Sequence, residues 1–391
     1  MINFDTAYQL IMAQARNFGS ERVALNECLN RVLAEDVISD VNMPPFNKAA
    51  VDGYACRRND LKTEMKLISV TRAGEKQSLS IAQGECVRIM TGAEVPNGAD
   101  CVFMLENSNA VSENRIVFEG EKTADNIARF AEDVKLGDTV LEKGSLVNAG
   151  NIALLAAVGC TQPLVFKKPS VGIITTGDEI VEPEQRPIGA QIRNSNGPQL
   201  MAQLLQMSIP ATYYGIVGDD FSKTKNCIAE AIATNNIVFI TGGVSMGEFD
   251  FVKDALRELG TTLIIEKISI KPGKPTVFAK NKNCFVFGMP GNPVSSFVIF
   301  ELLAKPFLQY CMGLKSNQLW LKLPLENDKA LKSSDRTSFV PAKIDDNSHI
   351  ELLEYHGSAH IHAISGATCI ARIMPFTDSL KKGDTVDVRL F

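Results

Sequence analysis

The stretch Thr-Gly-Gly-Val-Ser-Met-Gly-Glu-Phe-Asp at residues 241–250 has the residue types of a serine nucleophile site. It contains a G-x-S-x-G pattern centred on Ser245 and follows the apolar run 237–240, as in hydrolases whose serine sits at the end of a strand. In those enzymes the turn leads directly into a helix, whereas here further residues follow Gly247 and Asp250 is suited to cap the helix. The histidines lie only in the C-terminal segment, beyond the predicted sheet. The pattern therefore disfavours Ser245 as a nucleophile.

Glycines and acidic residues recur at the ends of four predicted strands. Such glycines let the backbone approach a phosphate or another oxyanion, and carboxylates at the same strand ends are typical Mg²⁺ ligands. A helix cap with a tight turn explains any one of these loops alone, but four loops at one sheet edge predict a binding site. The loops are 176–179 (Thr-Gly-Asp-Glu), 218–220 (Gly-Asp-Asp), 242–250 and 288–295 (Gly-Met-Pro-Gly-Asn-Pro-Val-Ser).

Two lysines in Lys271-Pro272-Gly273-Lys274-Pro275 add positive charge on a stiff turn. A solvated turn is one interpretation; an anion clamp at the end of the sheet is favoured, because apolar residues precede the turn and a strand follows it. Neither a G-x-G-x-x-G dinucleotide pattern nor a P-loop is present. A histidine metal cluster at 356, 360 and 362 is disfavoured because no fourth ligand is evident.

The order of strand and helix patterns around these residues predicts a multidomain α/β plus β protein. Alternating strands and helices at 169–313 predict a central, doubly wound, mostly parallel α/β domain, in which Asn196 is expected to cap a helix. Short strands at 41–133 predict a β-rich domain inserted into a helical, elongated N-terminal domain made of 1–40 and 134–168. Strands at 317–391 predict a small C-terminal β-barrel.

Composition limits the class of partner. The chain has 391 residues and a net charge of −5, from 40 basic and 45 acidic residues, which disfavours nucleic acid or a membrane surface as the main partner. Nine scattered cysteines without a C-x-x-C pattern indicate reduced thiols in a cytoplasmic protein. The first residues lack signal-peptide features, and no apolar run of about 20 residues is evident.

Six motifs resemble the molybdopterin molybdenumtransferase family, which includes the E domain of gephyrin. Four lie in the predicted α/β domain and two in the predicted inserted domain, and the resemblance covers essentially the whole chain. They are Thr-Thr-Gly-Asp-Glu at 175–179, Thr-Gly-Gly-Val-Ser-Met-Gly at 241–247, Lys-Pro-Gly-Lys-Pro at 271–275, Pro-Gly-Asn-Pro-Val-Ser at 290–295, Ala-Val-Asp-Gly-Tyr-Ala at 50–55 and Val-Arg-Ile-Met-Thr-Gly-Ala at 87–93.

The resemblance implies an enzyme that inserts molybdate into adenylylated molybdopterin and releases AMP, assisted by Mg²⁺. It implies a homodimer whose active site is shared between subunits, with transient contacts to the molybdopterin adenylyltransferase and to molybdoenzyme maturation proteins. By motif match, Asp52 and Thr91 would come from the partner subunit. Lys271 and Lys274 would handle molybdate or phosphate.

The same match assigns the rest of the site. Asp178, Glu179, Asp219 and Asp250 would line the sheet edge, with Glu179 and Asp250 as candidate Mg²⁺ ligands. The substrate-binding positions would be Gly242, Gly243, Ser245, Gly247, Pro290, Gly291, Asn292, Pro293, Ser295 and Ser358.

Three positions depart from the family pattern. Ala131 replaces a usual glycine and Met289 a usual leucine. Pro341 stands where many relatives carry an arginine, and Arg336 or Lys343 is expected to compensate for the missing charge. Two alternative functions are a non-catalytic scaffold and a hydrolase or adenylyltransferase acting on a related pterin nucleotide.

Overall fold

The computed structural model describes residues 1–75, 78–244, 251–314, 320–354, 357 and 360–391. The N-terminal segment contributes one helix and three short strands, and single 3-10 turns occur at Leu25–Glu27, Arg58–Asp60 and Leu105–Asn107. These first elements are α1 (Phe4–Met12), β1 (Ser20–Arg22), β2 (Val37–Ile38) and β3 (Lys48–Ala49).

A six-stranded mixed sheet follows. Its strand order is β7-β4-β6-β5-β9-β8, with β5 and β6 parallel and the other neighbours antiparallel. Gly53 is required by backbone proximity, because a Cβ there would lie 1.8 Å from the Phe103 carbonyl oxygen. The strands are β4 (Gly53–Cys56), β5 (Met65–Thr71), β6 (Glu85–Ile89), β7 (Cys101–Met104), β8 (Ser108–Ser112) and β9 (Arg115–Phe118).

The chain then returns to the N-terminal segment through β10 (Ile127–Ala128), β11 (Thr139–Leu141), α2 (Ala149–Ala157) and β12 (Leu164–Phe166). Each returning strand pairs antiparallel with an outgoing one, as β10 with β3, β11 with β2 and β12 with β1. This nested pairing is what an insertion produces, because the outgoing and returning chains run side by side. The predicted domain boundaries themselves stay predictions.

The central α/β segment carries a six-stranded sheet of order β16-β13-β17-β21-β20-β18. β16, β13, β17 and β21 are parallel, and β20 and β21 form an antiparallel hairpin. Its elements are β13 (Val171–Thr176), β14 (Ile180–Val181), β15 (Ile192–Arg193), α3 (Asn196–Gln206), β16 (Ala211–Val217), α4 (Phe221–Thr234), β17 (Ile237–Thr241), α5 (Val252–Glu258), β18 (Thr262–Ile265), β19 (Ile270–Lys271), β20 (Val277–Lys280), β21 (Phe285–Met289), α6 (Pro293–Ile299) and α7 (Lys305–Cys311).

The helical run from α6 to α7 is continuous, with a π-helical stretch at Phe300–Ala304. By length and hydropathy this run, Pro293–Cys311, would suffice to cross a membrane, but 78% of its apolar window is buried inside the protein. Phe300 and Phe307 lie among Phe239, Phe278 and Phe287 of the sheet, all with no exposed surface. Each such side chain stabilises the fold by about 1.5–3 kcal/mol. The run is therefore the core helix of the α/β unit.

The C-terminal segment forms a small barrel. β25 pairs with β24, and β24, β26, β28 and β22 follow as neighbours. The ring closes where Leu325 bridges Ile350 and the Glu326 amide donates to the Ile350 carbonyl at 2.9 Å. The elements are β22 (Leu321–Pro324), β23 (Lys329–Ala330), β24 (Thr337–Ile344), β25 (Ile350–Leu352), α8 (His362–Ser365), β26 (Cys369–Ile373), β27 (Ser379–Leu380) and β28 (Thr385–Leu390).

One strand of the central segment belongs to this barrel sheet. β19 pairs parallel with β24, which places Ile270 opposite Thr337 and Lys271 opposite Ser338. The lysine turn thus begins on the barrel rather than on the α/β sheet. This arrangement matters for the position of both lysines.

Candidate active site

The carboxyl ends of four parallel strands meet at one edge of the α/β sheet. Thr175 of β13 lies opposite Thr241 of β17, which lies opposite Met289 of β21. Thr176 lies opposite Val217 of β16. The four loops predicted from their glycines and acids are therefore neighbours. They border a cleft of about 800 Å³ through Glu179, Asp219, Gly242 and Gly291, one residue from each loop. Asp178, Gly218 and Asp220 do not line it.

The loops after β13, β16, β17 and β21 each contribute to this one cleft, as the sequence predicted.

The cleft floor depends on two glycines after β17. Gly242 and Gly243 have φ angles of +92° and +61°, in the region that L-residues rarely adopt. A Cβ on Gly242 would lie 2.6 Å from the Thr176 carbonyl oxygen and 2.7 Å from the Thr176 hydroxyl oxygen. The loop backbone therefore packs directly on the end of β13, and its peptide groups rather than side chains line the cleft.

Asn196 fastens two of the loops together. Its Nδ2 donates to the Thr241 hydroxyl at 2.6 Å and to the Gly291 carbonyl at 2.7 Å. The Gly291 carbonyl can only accept, so the orientation of the amide is fixed. Its Oδ1 is buried and has no hydrogen-bond partner among the described residues. The sequence prediction that Asn196 caps α3 is wrong, because Ser195 holds the cap position and Asn196 is already helical.

A second polar chain supports the loop before α3. Asn194 Nδ2 donates to the Tyr213 hydroxyl at 2.7 Å, and that hydroxyl donates to Glu182 Oε1 at 2.8 Å. Asn194 Oδ1 accepts from the Gly197 amide at 3.0 Å and so caps the first turn of α3. Burial, followed by the hydrogen bond to Glu182, raises the pKa of Tyr213 to about 12. The phenol therefore stays protonated as the donor that orders this loop.

The three predicted acids after β13 and β16 have different surroundings. Glu179 and Asp219 line the cleft, whereas Asp178 does not. Asp178 Oδ1 accepts from the Asp219 amide at 2.9 Å and so joins the two loops. A Cβ on Gly177 would lie 2.5 Å from Glu179 Oε2, so the glycine leaves room for that carboxylate to fold over the backbone.

Positive charge reaches the cleft from a residue that the sequence reasoning missed. Within the described part of the chain, Arg193 is the one cationic side chain that lines the cleft. Its Nε donates to the Gln185 carbonyl at 3.1 Å. β15, which carries Arg193, is only two residues long and pairs with β14 beside Glu179, and no periodic pattern could have revealed so short a strand.

The two predicted lysines do not line this cleft. Lys271 borders a separate cavity at the barrel, and Lys274 is exposed on the turn. Pro275, the last residue of the turn, does line the cleft. A Cβ on Gly273 would lie 2.7 Å from Ile299 Cδ1, so the turn rests on the core helix.

Asp52 and Thr91 form a pair in the inserted sheet. The Thr91 amide and hydroxyl donate to Asp52 Oδ1 at 2.7 and 2.9 Å. The hydrogen bond from the Thr91 backbone amide, and to a smaller extent the one from its hydroxyl, lowers the pKa of Asp52. Neither residue lines the cleft of its own chain.

The loop after β21 contributes its backbone to the cleft. Pro290, Gly291, Asn292 and Pro293 line it, and Pro293 is the first residue of α6. Ser295 is buried within α6 and does not line the cleft. The predicted positions Ser245, Gly247, Asp250 and Ser358 lie outside the described residues.

A pre-assembled metal cluster is not found in the cleft among the residues that the structure describes. The group of three potential ligands in that part of the chain is Glu326, Asp345 and His349, which lies in the barrel. Among the described residues that line the cleft, Glu179 and Asp219 supply the carboxylates that could bind a hard cation.

The chain is similar to known proteins over nearly its full length. The chain is 33% identical over 395 residues to the molybdopterin molybdenumtransferase of Staphylococcus aureus strain Mu50, covering 98% of this chain and 94% of that protein. A Staphylococcus epidermidis protein of the same name is 31% identical over 399 residues, covering 100% and 95%.

Family models agree along the chain. The MoeA N-terminal region (domain I and II) matches residues 2–159, the probable molybdopterin binding domain matches 172–310, and the MoeA C-terminal region (domain IV) matches 325–391. The chain belongs to the MoeA family.

Two solved MoeA structures have the same fold. The molybdopterin biosynthesis MoeA protein from Pyrococcus horikoshii OT3 aligns with a TM-score of 0.84 and 28% identity over 100% of both chains. A second structure, described as the MoeA protein from Pyrococcus horikosii, aligns with a TM-score of 0.81 and 29% identity over 100% of this chain and 99% of that one. The multidomain α/β plus β fold expected for a MoeA protein is thereby confirmed.

The structure shows the backbone conformation at Ala131 and the contacts of the two cations expected to compensate for Pro341. Ala131 adopts a φ of +57°, which suits the glycine that is usual there. Arg336, expected to compensate for Pro341, donates instead to the Ile270 carbonyl at 3.0 Å. Lys343 pairs with Glu351 at 2.8 Å. Neither cation lines the cleft, so their compensating role stays a prediction.

Proposed function

We propose that this MoeA protein is a molybdopterin molybdenumtransferase, which inserts molybdate into adenylylated molybdopterin and releases AMP. The observation that carries the proposal is the convergence of four glycine-containing loops, two carboxylates and one arginine on a single cleft. Cleaving a phosphoanhydride needs neutralised charge and correct positioning more than a covalent nucleophile. The names of the full-length relatives support the same reaction.

Different parts of the site bind the phosphates and neutralise their charge. The backbone around Gly242 and Gly243 approaches the phosphates, where peptide N–H groups stabilise negative charge. Arg193, which lines the cleft, binds a phosphate oxygen. Lys274, exposed on the turn that ends at Pro275, neutralises the incoming oxyanion.

Mg²⁺ fits the donor set of the cleft. Glu179 lines it with a carboxylate, the ligand that this ion prefers together with phosphate and water. We assign Glu179 and Asp250 as its ligands, as the motif match implies. Asp219 also lines the cleft. When bound, the ion neutralises charge on the phosphate oxygens.

The active form is a homodimer in which Asp52 and Thr91 complete the cleft of the partner subunit. The hydrogen bonds from Thr91 keep Asp52 ionised, as a charged contact with substrate or a bound cation requires. The location is the cytoplasm, in keeping with nine cysteines that are all free thiols. Transient partners are the adenylyltransferase that supplies the substrate and the maturation proteins that receive the product.

AMP release from adenylylated molybdopterin is the direct test. We expect release to depend on molybdate, to need Mg²⁺ and to fall by more than about tenfold in Glu179→Gln, since a lost charge contact of about 1.4 kcal/mol already gives that factor. Glu184→Gln, an exposed residue of the same loop region, is the matched control. AMP release without molybdate would indicate a pterin-nucleotide hydrolase, and no release at all would favour a scaffold.

Shared active sites are tested by mixing two inactive variants. In a co-expressed mixture of Asp52→Asn and Glu179→Gln chains, each mixed dimer contains one intact cleft. Random pairing then restores about a quarter of wild-type activity in a symmetric dimer. No recovery above the separate variants would rule out sharing across the subunit interface.

A further inference from the structure

The mouth of the C-terminal barrel contains a second, smaller cavity. It has a volume of about 170 Å³, and none of its lining residues lines the cleft. Its apolar floor is formed by Val340, Leu352 and Ile373, which pack in the barrel core. Ser338 lies two residues before Val340 on β24 and therefore projects to the same face of the strand. The barrel interior thus opens into this cavity.

Three lysines line the cavity: Lys271, Lys329 and Lys332. In the described part of the chain, none of them has a carboxylate oxygen within 4.0 Å of its ammonium group. Other barrel lysines are paired, with Lys381 at 3.1 Å from Asp328 and Lys382 at 3.4 Å from Glu326.

Such an unpaired cluster repels itself unless an anion lies between the charges. The protein as a whole has a net charge of −5, so a local excess of three positive charges is not a consequence of its composition. The cluster also combines strands from distant parts of the sequence, because β19 brings Lys271 next to the barrel. Charge and topology both point to an anionic ligand.

Two hydroxyl groups add hydrogen-bond donors to the rim. Ser338 lies directly opposite Lys271 in the pairing of β19 with β24. The Ser334 hydroxyl accepts from the Arg336 amide at 3.2 Å, which leaves its own proton available. Thr377 has used its proton on the Met374 carbonyl at 2.9 Å. The rim therefore offers ammonium and serine donors around a small volume.

We propose that the barrel mouth is a binding site for a small tetrahedral oxyanion, separate from the cleft. A cavity of 170 Å³ is large enough for one such ion with a few waters, since a water occupies about 30 Å³ in the liquid, and it is too small for a nucleotide. Molybdate, sulfate and phosphate share this chemistry. Lys271 is one of the two lysines that the family resemblance implies in handling molybdate or phosphate. The proposal therefore rests on Lys329, Lys332 and the two serines, whose binding of an oxyanion does not depend on the proposed transferase reaction.

Equilibrium dialysis of the full-length protein against labelled molybdate, sulfate or phosphate at low ionic strength tests the proposal. We expect the double variant Lys329→Met/Lys332→Met to weaken binding of one oxyanion equivalent by about tenfold or more, as for lost charge-assisted hydrogen bonds. The double variant Lys381→Met/Lys382→Met removes the same charge from exposed, paired lysines of the same barrel and is expected to bind like the wild type.

The outcomes separate the ligands and the proposals. A preference for molybdate indicates that the site holds the reaction's oxyanion, and equal binding of all three indicates a general oxyanion site. Equal affinity of the two double variants, or equal loss in both, would overturn the proposal. If the first double variant fails to fold, Lys332→Gln at an exposed position replaces it with an expected loss of about threefold. AMP release, measured in parallel, reports the transferase function independently.

Discussion

Replacing Gly242 by alanine perturbs the contact on which the cleft floor rests. The added Cβ would lie 2.6 Å from the Thr176 carbonyl oxygen, an atom of a central strand that cannot move away cheaply. The φ of +92° adds strain of its own, because L-residues rarely adopt it. Gly189 provides a matched control, since it has a φ of +64° and no atom within 4 Å of an added Cβ.

The magnitude follows from these two contributions. A left-handed conformation costs a residue with a Cβ about 1–2 kcal/mol, and this cost applies to both variants. Forcing atoms into a packed region costs about 1–3 kcal/mol more, and this cost applies to Gly242→Ala alone. The gain from a less flexible unfolded chain is the same for both and cancels. We therefore expect Gly242→Ala to be less stable than Gly189→Ala by about 1–3 kcal/mol, or to relieve the clash by moving the loop.

Urea denaturation and molybdate-dependent AMP release distinguish these possibilities. A lower denaturation midpoint for Gly242→Ala reports the strain retained in the fold. A normal midpoint with reduced AMP release reports that the loop has moved from the phosphates. If Gly242→Ala matches Gly189→Ala in midpoint and the wild type in AMP release, the contact does not shape the cleft.

Three further predictions concern polar contacts. Thr91→Val removes the hydroxyl hydrogen bond and should raise the pKa of Asp52 in an NMR titration. A lowered pKa of Asp52 stabilises the folded protein at neutral pH, and this contribution is lost as the pH falls through that pKa. The difference in stability between Thr91→Val and the wild type should therefore vanish in strong acid. Asn196→Asp places a carboxylate against the Gly291 carbonyl and should destabilise the protein by about 2–4 kcal/mol at neutral pH. Burial should raise the pKa of that new carboxyl, so the loss should shrink as pH falls, and equal urea midpoints in mild acid and mild base would contradict this. Glu301→Gln removes a buried carboxylate, whose Oε2 accepts a hydrogen bond from Lys305 Nζ at 2.7 Å. The substitution should lower the free energy of unfolding by about 3 kcal/mol. A loss below about 0.5 kcal/mol would show that the ion pair is not stabilising.

Much of the secondary structure follows from the sequence because it is local. The strands Ala211–Val217, Thr337–Ile344 and Thr385–Leu390 lie where apolar runs between turn residues predict them. The meeting of the four loops also follows, because parallel strands place their carboxyl ends at one edge. β18, a short strand at the edge of the sheet, is not predicted from the sequence.

The positions that sequence reasoning missed depend on distant contacts. Lys271 lines the barrel cavity because two residues of β19 pair with β24, and so short a strand leaves no periodic pattern. Asn196 has the residue type of a cap, but its amide bonds to Thr241 and Gly291. Which partner a buried amide finds is decided by packing and not by its neighbours in sequence.

The antiparallel pairing of outgoing and returning strands in the N-terminal segment also determines where the inserted sheet could be cut out of the chain. The chain leaves at Ala49 and comes back at Ile127, and these two residues are directly paired. A tight turn joining them would close β3 and β10 into a simple hairpin without rethreading the rest of the chain. A deletion of the six-stranded sheet that joins residues 49 and 127 would therefore keep the pairing of the N-terminal strands intact.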